Sequence, residues 1–377
     1  MKINVISMRS FEPWDARNPE EFGIGGSENA HIELSRRLAA RGHEVTSYAP
    51  IREDSTDDGS VKWRHHSEAD LSEECLWLVF RQPDFADSFE PSANRRAWMV
   101  AEDVVYFDGC GGAYTKERAD KFDRILALSQ PHFDYLASSF PFLVPRLCLS
   151  SNGIESDRIP LSAGPRDPMK LFWCSSPDRG LEALLLIFAR ALEFEPRLRL
   201  ISTYGFNNWD KVIDANPGCP QEAMKKRTLD LIAACGDAVV WRGRVGQSEV
   251  WNEMLTAGLW VYPSTFEETS CCSCMLAQAC GAIPITNSYW AVGQNVKHGV
   301  FVQGDPLNDA LTRARYAQWI VRLARDEELA EKIRGSMMQW ARSHFDWERI
   351  VDHYEGWIEE DFPAPRVGMM RELAECC

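Results

Sequence analysis

The sequence contains no run of the roughly 18 apolar residues that a membrane-spanning helix needs. Its first residues, MKINVISMRSFEPWD, pass from an apolar segment straight into charged ones with no small-residue cleavage site, so a cytoplasmic location is expected. Positive charge is scarce: 41 Lys and Arg stand against 56 Asp and Glu, a formal charge of −15. That deficit argues against nucleic acid or anionic lipid as a bulk partner, since both need a positive field, while a locally basic cleft and peripheral contact with a membrane stay open. Internal repeats and low-complexity tracts are also absent. Hydrophobic residues at 45% and charged residues at 26% exclude a disordered or fibrous chain, and 377 residues suit two domains. The twelve cysteines show no framework spacing, and half lie inside apolar patterns where Cys acts as a small hydrophobe, so free thiols are expected.

What is present is a rhythm. Short apolar runs of strand character alternate with longer segments of helical period, the pattern of βαβ units and a parallel sheet. It occurs twice. The first half has strands near Lys2 to Ser7, Glu44 to Ala49, Leu76 to Phe80, Arg96 to Ala101, Arg124 to Leu128 and Arg146 to Leu149. Its clearest helix, Ser27 to Arg41, carries Ala30, Ile32, Leu34 and Leu38 mostly on one face, with Ser27 as its expected cap and Gly42 as its stop. A polar stretch from Glu155 to Pro168 reads as the linker. Strands near Lys170 to Cys174, Leu198 to Ser202, Ala238 to Trp241, Leu259 to Tyr262 and Ala282 to Ile285 follow, with helices between them and a helical last seventy residues. The expected division is an α/β pair of domains, 1–158 and 169–345, with 346–377 as a closing helical segment.

Three strand-to-helix turns carry the chemistry. The first ends a loop of about twenty residues, Arg9 to Gly26, and structureless loops that long inside a compact domain are usually functional. It closes as Gly23-Ile24-Gly25-Gly26-Ser27-Glu28 at a helix start, where adjacent glycines admit a ligand to the backbone and free amides attract an anion. No Gly-Lys-Ser/Thr follows, so it is not a P-loop, and no third glycine completes the dinucleotide fingerprint. The second turn, Ser175-Ser176-Pro177-Asp178-Arg179-Gly180, sets a fixed positive charge at another helix start, suited to a diphosphate. The third, Tyr262 to Ser270, brings Glu267, Glu268, Thr269 and Ser270 to the helix beginning near Cys271, where carboxylates can accept from sugar hydroxyls and amides can meet phosphate. Each alone is also ordinary turn chemistry. Cys271-Cys272-Ser273-Cys274 has no second pair at zinc-finger spacing, and His65-His66, in a polar loop, read as surface residues.

With these elements in order, the chain resembles the retaining, nucleotide-sugar-dependent glycosyltransferases of GT-B fold known as family 4. The resemblance runs through the GGSE turn, Arg41-Gly42-His43-Glu44-Val45, Leu126-Ala127-Leu128-Ser129, Ser151-Asn152-Gly153-Ile154 and Ser175 to Leu181. It continues through Gly243-Arg244-Val245, Tyr262-Pro263-Ser264 with Glu268-Thr269, and Ala277-Gln278-Ala279-Cys280-Gly281 with Pro284. It implies two Rossmann-like domains facing across a cleft, the donor nucleotide held mainly by the second and the acceptor by the first. It also implies a C-terminal helix, from Phe345-Asp346-Trp347 through Tyr354 and Trp357, crossing back to brace the first domain. By the same resemblance Arg179 meets the leaving diphosphate and Glu268 the donor sugar, both as catalytic residues. Gly25, Gly26, Ser27, Thr269, Ser270 and Arg244 serve donor binding. Glu28, Glu102, Asp103 and Asn152 are candidates for the acceptor side of the cleft.

Three positions depart from the family pattern. The second Glu of Glu-x7-Glu is Leu276; Cys174 stands where many members carry an Arg; and Ala101-Glu102-Asp103 stands where many have a His-Asp pair. Arg242 and Arg244, which both follow a second-domain strand, are candidates to supply part of the missing positive charge. No cofactor is expected beyond a UDP- or GDP-sugar as co-substrate. No Asp-x-Asp motif is present, so metal independence is expected. The acceptor hydroxyl is expected on a glycan, a lipid-linked sugar or a small molecule. The alternatives are an idle nucleotide- or sugar-binding relative and a transferase acting on modified nucleic-acid bases.

Overall fold

The protein is described by a computed structural model covering residues 1–10, 12–103 and 114–362. Seven parallel strands form the first sheet: β1 Lys2–Ile6, β2 Glu44–Ala49, β3 Val61–His65, β4 Leu76–Phe80, β5 Arg96–Ala101, β6 Arg124–Ala127 and β7 Leu147–Leu149, in the order β3-β2-β1-β4-β5-β6-β7. Six parallel strands form the second: β8 Asp167–Trp173, β9 Arg199–Thr203, β10 Val239–Gly243, β11 Ala257–Tyr262, β12 Ile283–Thr286 and β13 Val300–Phe301, in the order β10-β9-β8-β11-β12-β13. Strands such as Leu-Trp-Leu-Val-Phe in β4 are buried at every position, as a parallel sheet covered on both faces demands. Helices cover both sheets, giving two Rossmann-like domains.

The strand order sets the place of the site. In each sheet the order reverses between two adjacent central strands, β1 and β4 in the first and β8 and β11 in the second. Loops leaving the carboxyl ends of such a pair diverge and open a crevice, the usual ligand position in open α/β sheets. The glycine turn lies downstream of β1, and the turns at 175–180 and 263–270 follow β8 and β11. All three candidate turns therefore flank a crevice of this kind.

The closing helix, Trp347–Asp361, buries Trp347, Ile350, Val351, Tyr354 and Ile358, spaced to form one face. They join the core of the first domain with Trp98, Val100 and Leu126. Trp98 Nε1 donates to Asp361 (3.0 Å), and the Arg124 guanidinium meets the same carboxylate at 2.9 Å. Each large apolar side chain buried this way contributes about 1.5–3 kcal/mol, so this helix holds the far end of the chain on the first domain. The part of the expected brace beyond Phe362 lies outside the described residues.

Several expectations need correction. Strand β3 was not anticipated, because only Val61 and Trp63 face the core in a polar segment. The Asp58 carboxylate accepts from Val61 N (2.9 Å) and the Asp57 carboxylate from Trp63 N (2.9 Å), which fixes its start. His65 ends this strand and caps the short turn after it instead of lying in a loop. The loop before the glycine turn is not structureless. Trp14 is buried, a short helix spans Asn18–Glu21, and Asp15 is held by Arg17 and Ser55 at 2.7 Å each. The nine cysteines among the described residues carry free thiols. No helix among them is long and apolar enough to cross a membrane.

Candidate functional site

On the first domain the helix Gly26–Ala40 begins at Gly25, an extended residue with no side-chain cap. Ser27 was the expected cap, and it lies inside the first turn instead. Its hydroxyl accepts from the Arg81 guanidinium and donates to Glu102 Oε2 at 2.8 Å, so a partner 75 residues away replaces the local amide. A side-chain carbon at Gly26 would lie 3.9 Å from Cys272 Sγ. Two helix starts, one from each domain, thus face each other with their free amides, which favours an anion between them.

Glu102 is 6% exposed and follows β5. Asn152 Nδ2 donates to its Oε1 (3.2 Å), and its backbone carbonyl accepts from the Thr269 hydroxyl (2.8 Å), which ties the third turn to the first domain. Burial pushes its carboxyl up to about 7 against the pull of Arg81 and the Ser27 hydrogen bond. A carboxyl raised on folding holds its proton while the unfolded chain loses it, so this contribution to stability is complete below the ordinary Glu range and falls away as pH rises toward 7. A rise from the ordinary 4.5 to about 7 corresponds to about 3 kcal/mol. Glu102→Gln, which stays neutral, should therefore gain stability relative to the native chain between pH 5 and pH 8 by up to about that amount. Urea unfolding at both pH values checks it; a pH-independent difference refutes the assignment.

Arg81 escaped the sequence reading. It is the first residue after β4, at the crevice of the first sheet, and has a left-handed φ of 64°. Its guanidinium stands 3.5 Å from both Glu28 and Asp103. Strain of this kind costs about 1–3 kcal/mol and persists where the surroundings fix it, as these three acidic and hydroxyl partners do. The available signal was an Arg ending a wholly apolar strand.

On the second domain the Arg179 guanidinium carbon lies 3.2 Å from the centre of the Phe266 ring, a cation–π stack between the second and third turns. Its Nε is 3.9 Å from Asp178 and 4.0 Å from Glu268, and its Nη1 is buried with no partner among the described residues. Glu268 accepts from the Tyr262 hydroxyl (2.6 Å), and Glu267 from Tyr289 (2.8 Å). Tyr262 is stacked against Trp173 and Trp260, and burial pushes its hydroxyl up, so it remains a donor to Glu268. The Ser270 carbonyl accepts from Asn295, while its hydroxyl is buried with no partner among the described residues.

Arg244 faces the cleft and pairs with Glu12 of the first domain; its Nε is buried with no partner among the described residues. Arg242 instead points outward to Glu249 and Glu253, so only Arg244 of the two lies near the turns. Leu276 is 5% exposed within the apolar core, and burial pushes the Cys174 thiol up to about 12, so neither position offers a charge. Among the described residues no three His, Cys, Asp or Glu side chains are arranged to hold a metal ion. A cavity of about 490 Å³ lined by Lys170, Ser248, Asn252, Glu253 and Thr256 opens between β8 and the helix Gln247–Thr256, where Lys170 and Glu253 pair at 2.5 Å.

No family model and no curated protein matches the sequence. Solved structures do. HepE from Anabaena in complex with UDP-glucose is 14% identical with a TM-score of 0.69, covering 96% of this chain and 100% of its own. Sucrose-phosphate synthase from Thermosynechococcus elongatus is 16% identical with a TM-score of 0.68, covering 97% of this chain and all of its own. An α-glucosyltransferase in complex with UDP and a 13-mer DNA containing an HMU base is 13% identical with a TM-score of 0.62, over 95% and 98%. At such identities the shared property is architecture, and it extends over nearly the whole of both chains. The protein has the two-domain GT-B fold.

Proposed function

We propose that the protein is a nucleotide-sugar glycosyltransferase of family 4 type, transferring a sugar to a hydroxyl acceptor with retention at the anomeric carbon. The observation that carries this is the position of Arg179, stacked on Phe266 of the third turn with a buried N–H that has no partner among the described residues, while the helix start after that turn, at Cys272, faces Gly26 of the glycine turn. In the reaction the bond from the anomeric carbon to the donor phosphate breaks and a bond to the acceptor oxygen forms. The acceptor's proton leaves with the phosphate oxygen. Arg179 and the facing helix amides stabilise the charge on the departing diphosphate, which is the step that needs most help in water. Glu268, held by Tyr262, accepts from hydroxyls of the donor sugar. Structural relatives solved with UDP or UDP-glucose support a UDP-sugar as the first donor to test.

Glu268→Gln keeps an acceptor oxygen but loses the charge. Sugar transfer should fall at least about tenfold while affinity for UDP stays within about threefold. A nucleotide-sugar panel scored for binding, then for transfer and hydrolysis, checks both the function and this split; equal losses refute the sugar contact. A second reading, a binding protein without turnover, is favoured by the buried apolar Leu276 and by the absence of charge at Cys174. Tight donor binding with neither transfer nor hydrolysis over the whole panel selects it. The charge of −15 argues against a nucleic-acid acceptor, and label entering DNA with hydroxymethylated bases overturns that expectation.

A further inference from the structure

At the carboxyl end of β9 the chain does something that sequence alone hides. Tyr204 has a φ of 94° and Gly205, next to it, a φ of 87°. Glycine accepts such values freely and tyrosine does not. Tyr204 is pinned there by its own N–H, which donates to the Gly243 carbonyl (2.9 Å), and by Arg244, whose guanidinium carbon lies 5.6 Å from the ring centre. Its half-buried hydroxyl has no hydrogen-bond partner among the described residues. Burial, and the fields of Glu28 and Asp178, keep that hydroxyl protonated against the opposing pull of Arg244 and Arg179, and all four groups converge on it from both domains. Arg179 Nη1 and Arg244 Nε are buried with no partner among the described residues, and Tyr204 stands beside Arg244 and in the field of Arg179. Buried guanidinium N–H groups with no acceptor are costly unless a ligand supplies one, and an anion with several oxygens can serve both of them and the neighbouring hydroxyl together.

We propose that Tyr204 is a donor-site residue, its hydroxyl donating to a diphosphate oxygen that Arg179 and Arg244 also bind. This rests on the donor reading above. The strained backbone is then explained, because an unstrained residue at 204 would aim its side chain elsewhere. Glu12, paired with Arg244 across the cleft, occupies part of the same cation in the empty protein.

Titration calorimetry of the full chain with UDP, UMP and uridine, and with the GDP series in parallel, tests it. Tyr204→Phe should weaken diphosphate binding about tenfold, as expected for a hydrogen bond to a charged group, and leave nucleoside binding unchanged. Thermal stability of Tyr204→Phe should be unchanged, because the hydroxyl has no hydrogen-bond partner among the described residues; a merely structural hydroxyl would lose stability instead. Unchanged UDP affinity in Tyr204→Phe, or an equal loss for uridine, overturns the proposal with the donor reading intact. Absence of nucleoside diphosphate binding by the native chain overturns the donor reading and this inference with it.

Discussion

Arg179→Ala is expected to lower kcat/KM by about 30- to 1,000-fold, equivalent to about 2–4 kcal/mol of transition-state stabilisation. A departing nucleoside diphosphate gains charge as the glycosidic bond breaks, and a guanidinium already fixed against an aromatic face needs no reorganisation to meet it. Asp178 and Glu268 stand at 3.9 and 4.0 Å, too far for short hydrogen bonds. They balance the charge of the guanidinium without engaging its fork, which phosphate can then meet. The loss should appear chiefly in kcat, because the interaction strengthens as charge develops. Arg179→Lys should fall between, keeping the charge but losing the stack and the bidentate geometry. Steady-state kinetics with the donor identified by the panel decides it; an unchanged kcat/KM in Arg179→Ala removes Arg179 from the reaction.

The turns were legible in the sequence because each is contiguous. Gly25-Gly26, the segment 175–180 and the segment 262–270 each announce a strand end, a glycine or proline and a helix start within ten residues. The fold made them into one site by a rule of topology, the reversal of strand order in both sheets. What could not be read was whatever depends on a distant partner. Ser27 satisfies the local rule for a helix cap, yet its hydroxyl binds Glu102 and Arg81, both brought in by strands far along the chain. Arg81 and Tyr204 are single residues at strand ends, and their meaning lies in backbone angles that no residue pattern records. Arg242 and Arg244 stand two positions apart on one strand end, and only the direction of the chain after Gly243 sends one outward and the other into the cleft. Strand β3 was missed for the opposite reason, since two apolar residues among charges carry too little pattern to register.

Gly180 joins the second and third turns, and its replacement disturbs both. A side-chain carbon there would lie 2.3 Å from the Pro263 carbonyl oxygen and 3.1 Å from its carbon, in a backbone with φ of 120°. Both neighbours are main chain, so no side chain can swing aside. Gly180→Ala therefore combines backbone strain with overpacking, and a loss of about 3–5 kcal/mol is expected. Gly218 separates the two effects. Its φ of 83° is also positive, nearer the left-handed region, and no atom lies within 4 Å of where the side chain would go. Gly218→Ala should cost about 1–2 kcal/mol from the backbone alone. Urea unfolding of the two variants measures the difference, most of which comes from pressing the turn at 175–180 against the turn at 263–270. The same contact sets the distance from Arg179 to Phe266 and Glu268, so Gly180→Ala should also lose UDP binding under conditions where it is still folded, and Gly218→Ala should keep it. Equal destabilisation in the two variants, or intact binding in Gly180→Ala, would show that the two turns hold their positions independently.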